Sequence, residues 1–448
     1  MRLLLNTRST LHRCLLVATF VTLPLVSASF AGPRARAASD GESETGPGWT
    51  QWRGAHRDGR VDGPAWPSDL SGLEPLWRVE LGKGYSGAVV AADRVFVVET
   101  VRETGITAAR VRALRRDTGE EIWRRGWEAQ GDVPFFAASH GAWERSTPAY
   151  DGRVLYVGDM EEVLHALDGE TGEERWAIDF PQQYGTTRPP FGFASSPLLV
   201  DGTLYLQAAN GLVKVEVESG RVLWRSAVTD DSMSTGGAFS SPILTTLNSI
   251  DQVLAFTRSH LTGVDPQSGQ VLWQHAVPNF RGMNIVTPSV YRDGVFVSQY
   301  RNGSYFFRPG GRAGSGQVRM ETAWTNKGSG YMSSPVVIDD HVYQHLGNGR
   351  LSSIDLRSGE ENWRTRPLGE YWSMVWQGDR ILAMSTDGSL RLVRATPDRF
   401  ELLDEREVAQ TSVWGHVAVS GDGVFVRELE AISAFQWTDT PTRVSRIQ

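Results

Sequence analysis

The residues best suited to chemistry are cations and aromatics gathered in the stretches between otherwise regular β-rich segments. Residues 126–145 carry Trp127, Phe135, Phe136, His140, Trp143, Glu144 and Arg145, and residues 180–194 carry Tyr184, Arg188, Phe191 and Phe193. Later stretches supply Arg281, Asn284, Lys327, Tyr331, Tyr371, Trp372, Trp414 and His416. Cations beside ring faces suit a planar anionic ligand or an extended peptide. Arg145, Arg188, Arg281, Lys327, Trp372, Trp414 and His416 are therefore the candidate ligand-face residues. The plainer alternative is that the rings only cover the ends of a β-structure.

Signals for catalysis are weak. His341 and His345 would share a helix face, but "HVYQHL" alternates as a strand does, which separates the two by ~13 Å, too far for one metal ion. Asp230 and Asp231 are the only acidic pair in these stretches, and such pairs are usually just solvated. No phosphate loop, nucleophile elbow or His-Glu-x-x-His motif is present. Ser-Ser-Pro invites a nucleophile reading, yet its recurrence along the chain marks it as architecture. No catalytic residue and no metal ligand is assigned.

The elements that must position these residues are visible as a repeat. Ser/Thr-Gly followed four residues after the Gly by Trp occurs at Gly119–Trp123, Gly172–Trp176, Gly220–Trp224, Gly269–Trp273 and Gly359–Trp363. Ahead of these stand Ser146-Thr147-Pro148, Ser195-Ser196-Pro197, Ser240-Ser241-Pro242, Val286-Thr287-Pro288 and Ser333-Ser334-Pro335, with prolines 45 to 49 residues apart. Between the two signatures lie four short alternating runs divided by Asp-Gly, Asn-Gly and Ser-Gly, which is hairpin chemistry. The Gly of each Ser/Thr-Gly pair is expected at φ > 0, with the Trp on the outermost strand packing against the neighbouring unit. A four-stranded sheet repeated every 40 to 50 residues is the signature of a β-propeller. A sandwich array would need about twice this period.

Fourth-strand tryptophans are expected at Trp123, Trp176, Trp224, Trp273, Trp324 and Trp363. The fifth repeat has a lengthened turn between Arg308 and Met320. The seventh runs from Trp372 to Val408 with Leu402 in the Trp position, and the eighth, Val413 to Trp437, supplies only three strands. Its fourth is found at the other end, as residues 75–81 with Trp77. The fold expected is thus all-β, an eight-bladed propeller of four-stranded antiparallel blades, closed by pairing 75–81 with the C-terminal blade. Closure hides edges that an open stack would expose.

Composition agrees: 47 Gly and 16 Trp in 448 residues suit short strands and tight turns. Arg2, Arg8 and Arg13 precede an apolar stretch from Cys14 to Ser29, interrupted by Pro24 and followed by small-x-small sites. That pattern is a secretory signal at 1–31, with cleavage possible as late as 37; a retained anchor is the alternative. Residues 32–48 read as a flexible leader, 49–440 as a single propeller and 441–448 as a tail. Removing 1–31 takes the only cysteine, three Arg and no acid, so the formal charge goes from −7 to −10. An acidic chain repels phosphate backbones, so nucleic acid is excluded as a partner. Once processed, the expected product is not an integral membrane protein; it is periplasmic or extracellular, and a monomer.

The Gly…Trp repeats from Pro75 to Trp437 resemble the pyrroloquinoline-quinone (PQQ) repeat family. Trp49-Thr50-Gln51-Trp52-Arg53-Gly54, with Arg57-Asp58-Gly59, resembles the leader of its exported bacterial members. The resemblance is specific for fold and poor for function, since the family spans quinoprotein dehydrogenases and the BamB-like factors of outer-membrane protein assembly. Its dehydrogenases imply PQQ with calcium, a catalytic Asp and often a disulfide between adjacent cysteines, which this chain cannot make once processed. The leading expectation is an exported non-catalytic propeller acting as a binding or scaffolding platform, for a protein or peptide partner or a small planar anion. A PQQ-dependent dehydrogenase without the disulfide is the first alternative, and a BamB-like assembly factor the second.

Overall fold

Short strands satisfy their backbone groups only beside neighbours, and the repeat delivers those neighbours four at a time. The structure, a computed structural model, describes residues 48–103, 105–131, 133–230, 232, 236–312 and 318–438. The expected signal, the leader up to residue 47 and the tail at 441–448 lie outside the described residues. Eight four-stranded antiparallel sheets follow one another along the chain. Blades one to seven span 89–128, 149–179, 198–226, 243–276, 289–326, 336–364 and 372–407. Blade eight joins Ala418–Ser420, Gly423–Arg427 and Ala431–Trp437 to Leu73–Glu80 from the start of the propeller. The closing pair runs antiparallel from Leu73 opposite Trp437 to Glu80 opposite Ala431. Arg78 bonds the fully buried Glu428 at 3.0 Å across this seam. Among the described residues no helix is long and apolar enough to cross a membrane.

Adjacent blades are joined by one repeated contact. Gly119, Gly172, Gly220, Gly269 and Gly359 have φ between 70° and 79°. A Cβ added to any of them would lie 2.5 to 2.8 Å from the ring of Trp77, Trp123, Trp176, Trp224 or Trp324 of the preceding blade. Only glycine fits, because backbone and space both exclude a side chain. Trp77, Trp123, Trp176, Trp324 and Trp363 each donate the indole N–H to a backbone carbonyl of the next blade, at 2.8 to 3.0 Å. In all eight blades the outermost pairing slips register just before the Trp position. Such a bulge bends the strand and re-aims its side chains.

Three expectations need correction. In blade seven the register puts Asp404, not Leu402, at the Trp position; Leu402 pairs with Val393 and is 41% exposed. This blade lacks the Gly from which the position is counted. Asp404 instead accepts the Leu70 N–H at 2.7 Å. Trp273 donates to Gln252 of its own blade at 2.6 Å and lies against Gly263, and no described glycine of blade five meets its ring. Blade five itself is not merely longer in its turn. Its strands Gly303–Arg312 and Val318–Asn326 stay paired out to Arg312 opposite Val318.

The Ser/Thr-Pro repeats form a belt around the channel. Gly87 N–H donates to Thr147 Oγ1, Thr147 to Ser196 Oγ, Ser196 to Ser241 Oγ, Ser241 to Thr287 Oγ1 and Thr287 to Ser334 Oγ, at 2.9 to 3.2 Å. Each bond links one innermost strand to the next. Next to this belt the channel is filled by the Trp49–Val61 segment. Trp49 exchanges backbone bonds with Val90, while Val61 N–H donates to Trp376 O and Trp376 N–H to Gly59 O. Between these ends, Arg57 donates to the carbonyls of Pro197 (2.6 Å), Ser196 and Pro242 (both 3.0 Å), and Arg53 donates to that of Pro335. Burial, then the neighbouring Arg53 charge, pushes Arg57 down to about 9, which leaves it a cation at neutral pH.

Two stability predictions follow from these contacts. Gly172→Ala should cost about 2–4 kcal/mol from combined overpacking and left-handed backbone. Gly152→Ala, at φ 96° but with nothing within 4 Å, should cost about 1 kcal/mol from the backbone alone; equal denaturation midpoints for the two would refute the Gly–Trp joint. Arg57→Met should lose about 3 kcal/mol or more by stranding three buried carbonyls. An unchanged urea midpoint would show that the channel segment does not brace the ring.

Candidate functional site

The connections that lead into the innermost strands open on one face, where they surround a cavity of about 580 Å³. Its mouth is a continuous collar of rings. Phe280 meets Tyr300 (centroids 5.9 Å apart), Tyr300 meets Tyr331 (4.3 Å), Tyr331 meets Tyr371 (5.6 Å), Tyr371 meets Trp414 (4.6 Å) and Trp414 meets Tyr85 (5.3 Å). Guanidiniums complete the circuit. Arg145 lies over Tyr85 and Phe191 at 5.4 and 5.6 Å, Phe191 meets Phe239 at 5.5 Å, and Arg258 lies over Phe239 at 4.8 Å. Arg258 Nη2 donates to Arg281 O, and Arg281 and Arg301 both lie over Phe280, at 5.3 and 4.9 Å.

Within the collar lies the hydroxyl belt, and the floor is Trp52, carried by the channel segment. Trp52 meets His416 edge-on at 5.8 Å, and the Arg53 and Arg57 guanidiniums sit 5.5 Å from its ring. The chamber is therefore closed below rather than a pore. His416 is half-buried; desolvation, then the Arg53 charge, holds it near 3, so it is neutral at physiological pH. Its Nδ1 faces Val417 O at 2.9 Å, which leaves Nε2 without a partner.

The chamber is electrostatically one-sided. Arg145, Arg258, Arg281 and Arg301 line it, and no described lining residue is acidic. Burial lowers the pKa of Arg145 and Arg258, which marks charge held partly out of water. Glu144, next to Arg145, does not line the chamber and is 1% exposed. Burial, then the Asp159 charge, raises its pKa well above the usual carboxylate value, weakening it as a counter-ion. Four lining residues also have positive φ: Phe191, Arg281, Arg301 and Tyr371, at 92°, 56°, 64° and 39°. Non-glycine residues are held so where surrounding structure over-determines them, commonly at ligand clamps.

Of the residues singled out by sequence, Arg145, Arg281, Trp372, Trp414 and His416 come together in this chamber. Arg188 does not line it. It follows the short helix Phe180–Tyr184 and is ion-paired with Glu161 and Asp179 instead. Lys327 follows directly on the outermost strand of blade five and is exposed. Asn284 plays a positioning part, its carboxamide donating to Thr257 O and Arg258 O at 3.2 and 3.1 Å. Sequence reasoning missed Arg258 and Arg301 because both sit between the second and third strands of a blade, on connections that also reach this face. It also missed Tyr85 and Phe239. A signal existed: Tyr85, Arg145, Phe239, Tyr371 and Trp414 each precede a residue at the start of an innermost strand by two positions (Gly87, Thr147, Ser241, Ser373 and His416).

PQQ with calcium was tested against this lining. The guanidiniums suit carboxylates, but the lining offers no carboxylate or carboxamide for a calcium ion and no Asp base. Among the described residues no three His, Cys, Asp or Glu side chains gather as a metal site. The residues present do not fit that pair.

Comparison with known proteins places the fold. The outer membrane protein assembly factor BamB of Yersinia pestis is 23% identical over 332 residues, 72% of this chain and 65% of that protein. The same factor of Shewanella oneidensis is 22% identical over 285 residues, 63% of this chain and 64% of that protein. The chain thus spans just under two thirds of the length of these curated relatives. Among solved structures, BamB from Moraxella catarrhalis superposes with a TM-score of 0.57 at 15% identity, covering 82% of this chain and 98% of that one. Quinohemoprotein alcohol dehydrogenase from Comamonas testosteroni gives 0.63 at 13% identity, covering 87% and 80%. At such identities the likeness is one of fold. The profile described as "Outer membrane protein assembly factor BamB" matches residues 107–365, more than half of the sequence, and this chain belongs to that PQQ-repeat family.

Proposed function

We propose that this protein is exported to the periplasm and acts there as a non-catalytic binding platform of the outer-membrane assembly kind, with the collar face as its binding face. The observation that carries the reading is the chamber itself: a rigid, blind, aromatic and cationic site with no acid in its described lining and no residue set for catalysis. Family membership supports the assembly role, and the relatives' names point to a protein partner. At the rim, the short 3-10 helix Phe135–His140 presents Phe135 and Phe136 at 91% and 61% exposure. Solvent-exposed rings beside a cavity are what buried anchors of a protein interface look like before the partner arrives. The dehydrogenase alternative finds little support in the lining, which fails the calcium test.

Protein lacking residues 1–31, immobilised and exposed to its own solubilised envelope, should retain components of outer-membrane protein assembly. The Phe135→Ala/Phe136→Ala variant should weaken that capture by roughly 30-fold or more, as loss of an aromatic anchor does. Adding PQQ and calcium should produce no dye reduction with alcohols. Turnover with those additives, or an envelope eluate without assembly components, would overturn the reading.

A further inference from the structure

Between blades one and two lies a group of ionisable side chains that the chamber does not use. Trp127, on the outermost strand Glu121–Glu128 of blade one, donates its indole N–H to Asp159 Oδ2 at 3.0 Å. The same oxygen faces His165 Nε2 at 3.2 Å, and His165 Nδ1 faces Glu174 Oε2 at 2.7 Å. The His165 ring also lies against the Trp127 ring, with centroids 4.1 Å apart. The Asp159 and His165 side chains are buried, and that of Glu174 is half-exposed. A neutral imidazole has one N–H and turns a lone pair towards one of the two carboxylates. Only the imidazolium bonds both, so the geometry requires a charged histidine.

This relay stands where the connection that carries the rim helix begins. Two residues after the strand, the Gln130 N–H donates to Glu161 Oε1 at 2.9 Å, on the turn that starts at Asp159. At the far end Arg145 donates to Gly141 O at 2.9 Å and to Trp143 O at 2.6 Å. Phe135 and Phe136 stand between these two fastenings.

We infer that Asp159, His165 and Glu174 form a proton-operated latch: with His165 charged it holds the Phe135–Phe136 rim in docking position, and with His165 neutral it lets the rim go. The gating of a partner rests on the docking role proposed above for that rim; the latch does not. Burial works against the imidazolium, but the bonds and charges of Asp159 and then Glu174 outweigh it, so His165 titrates above its ordinary value. The latch is therefore whole below ~6.5, the ordinary value, and is lost as pH rises through the higher folded value. The other charges on the packed elements are Glu161, paired with Arg188, and Glu162 on the same turn, and Glu144 and Arg145 from the connection. Arg125 stands between Trp123 and Trp127 on the same face of its strand. Burial, then Asp159, keeps Glu144 protonated, and its proton too is lost as pH rises, adding a second charge beside Asp159.

The test follows the histidine C2–H proton resonances of the protein without residues 1–31. One resonance, absent from His165→Gln, should titrate with a midpoint above ~6.5. Glu174→Gln, at the half-exposed end of the relay, should lower that midpoint, and it identifies the resonance if His165→Gln does not fold. Amide-exchange protection factors of residues 129–141 should fall roughly tenfold between about pH 6 and about pH 9, as loss of one charge-assisted bond does. His165→Gln should abolish this dependence and Glu144→Gln should retain it. Capture of envelope components should weaken over the same pH range. A midpoint at or below ~6.5, protection level across the range, or a dependence that survives His165→Gln or vanishes in Glu144→Gln defeats the latch and leaves the platform reading in place. Capture that stays level while the latch opens defeats the gating. If the latch opens and nothing is captured at any pH, the platform's partner falls and the latch stands.

Discussion

The structure depends on ring closure. Eight twisted sheets meet in a circle only if each turns through the same angle against the next, and the antiparallel pairing of Leu73–Glu80 with Ala431–Trp437 completes the circle. An error repeated at every junction would leave that seam open, so the junctions are nearly identical. A bulge precedes each Trp position, a glycine at positive φ receives the indole in five of them, and in four of those five the indole N–H reaches a carbonyl of the next blade. Between blades four and five, where no described glycine meets the ring, Trp273 turns back on its own sheet and the interface is filled by aliphatic and aromatic packing around Phe307 and Met320.

The centre of such a ring poses a second problem. The innermost strands present unpaired backbone groups to the channel, and an apolar filling would leave them unsatisfied. Two devices meet the need. The hydroxyl belt absorbs amides between successive blades, and Arg53 and Arg57 give their N–H groups to proline and serine carbonyls on blades three, four and six. The same filling supports Trp52 and so makes a floor for the chamber above it. Structural and functional layers share one short segment of chain.

Most of the fold was legible because it is written in recurring residues with one geometric task each: Gly119 at its tight turn, Trp123 at its joint, Pro148 at its strand start. The closing strand was legible as a blade that lacked one element and a leftover Leu-Trp-Arg at the other end. The chamber was legible in part. Arg145, Trp414 and His416 lie on connections that periodicity flags, whereas Arg258 and Arg301 lie on turns between second and third strands, whose orientation only the three-dimensional ring reveals. Asp404 was misread as Leu402 because a bulge shifts alternation by one residue where no glycine marks the count. The role of Arg53 and Arg57 was hidden for a different reason. Their partners are main-chain oxygens, to which side-chain identity is blind.

The channel segment also has a consequence for the time course of folding. Arg53 and its partner Pro335 are 282 residues apart, and Val61 waits for Trp376. The part of the propeller synthesised first therefore finds its last contacts only when the chain is nearly complete. Until then the early blades stand as an arc with a bare inner rim and two exposed edges, a state prone to misassociation. Such long-range contacts slow folding relative to a chain of local contacts. A ring sealed late from its own beginning is the kind of molecule that profits from being held apart from its neighbours while it assembles.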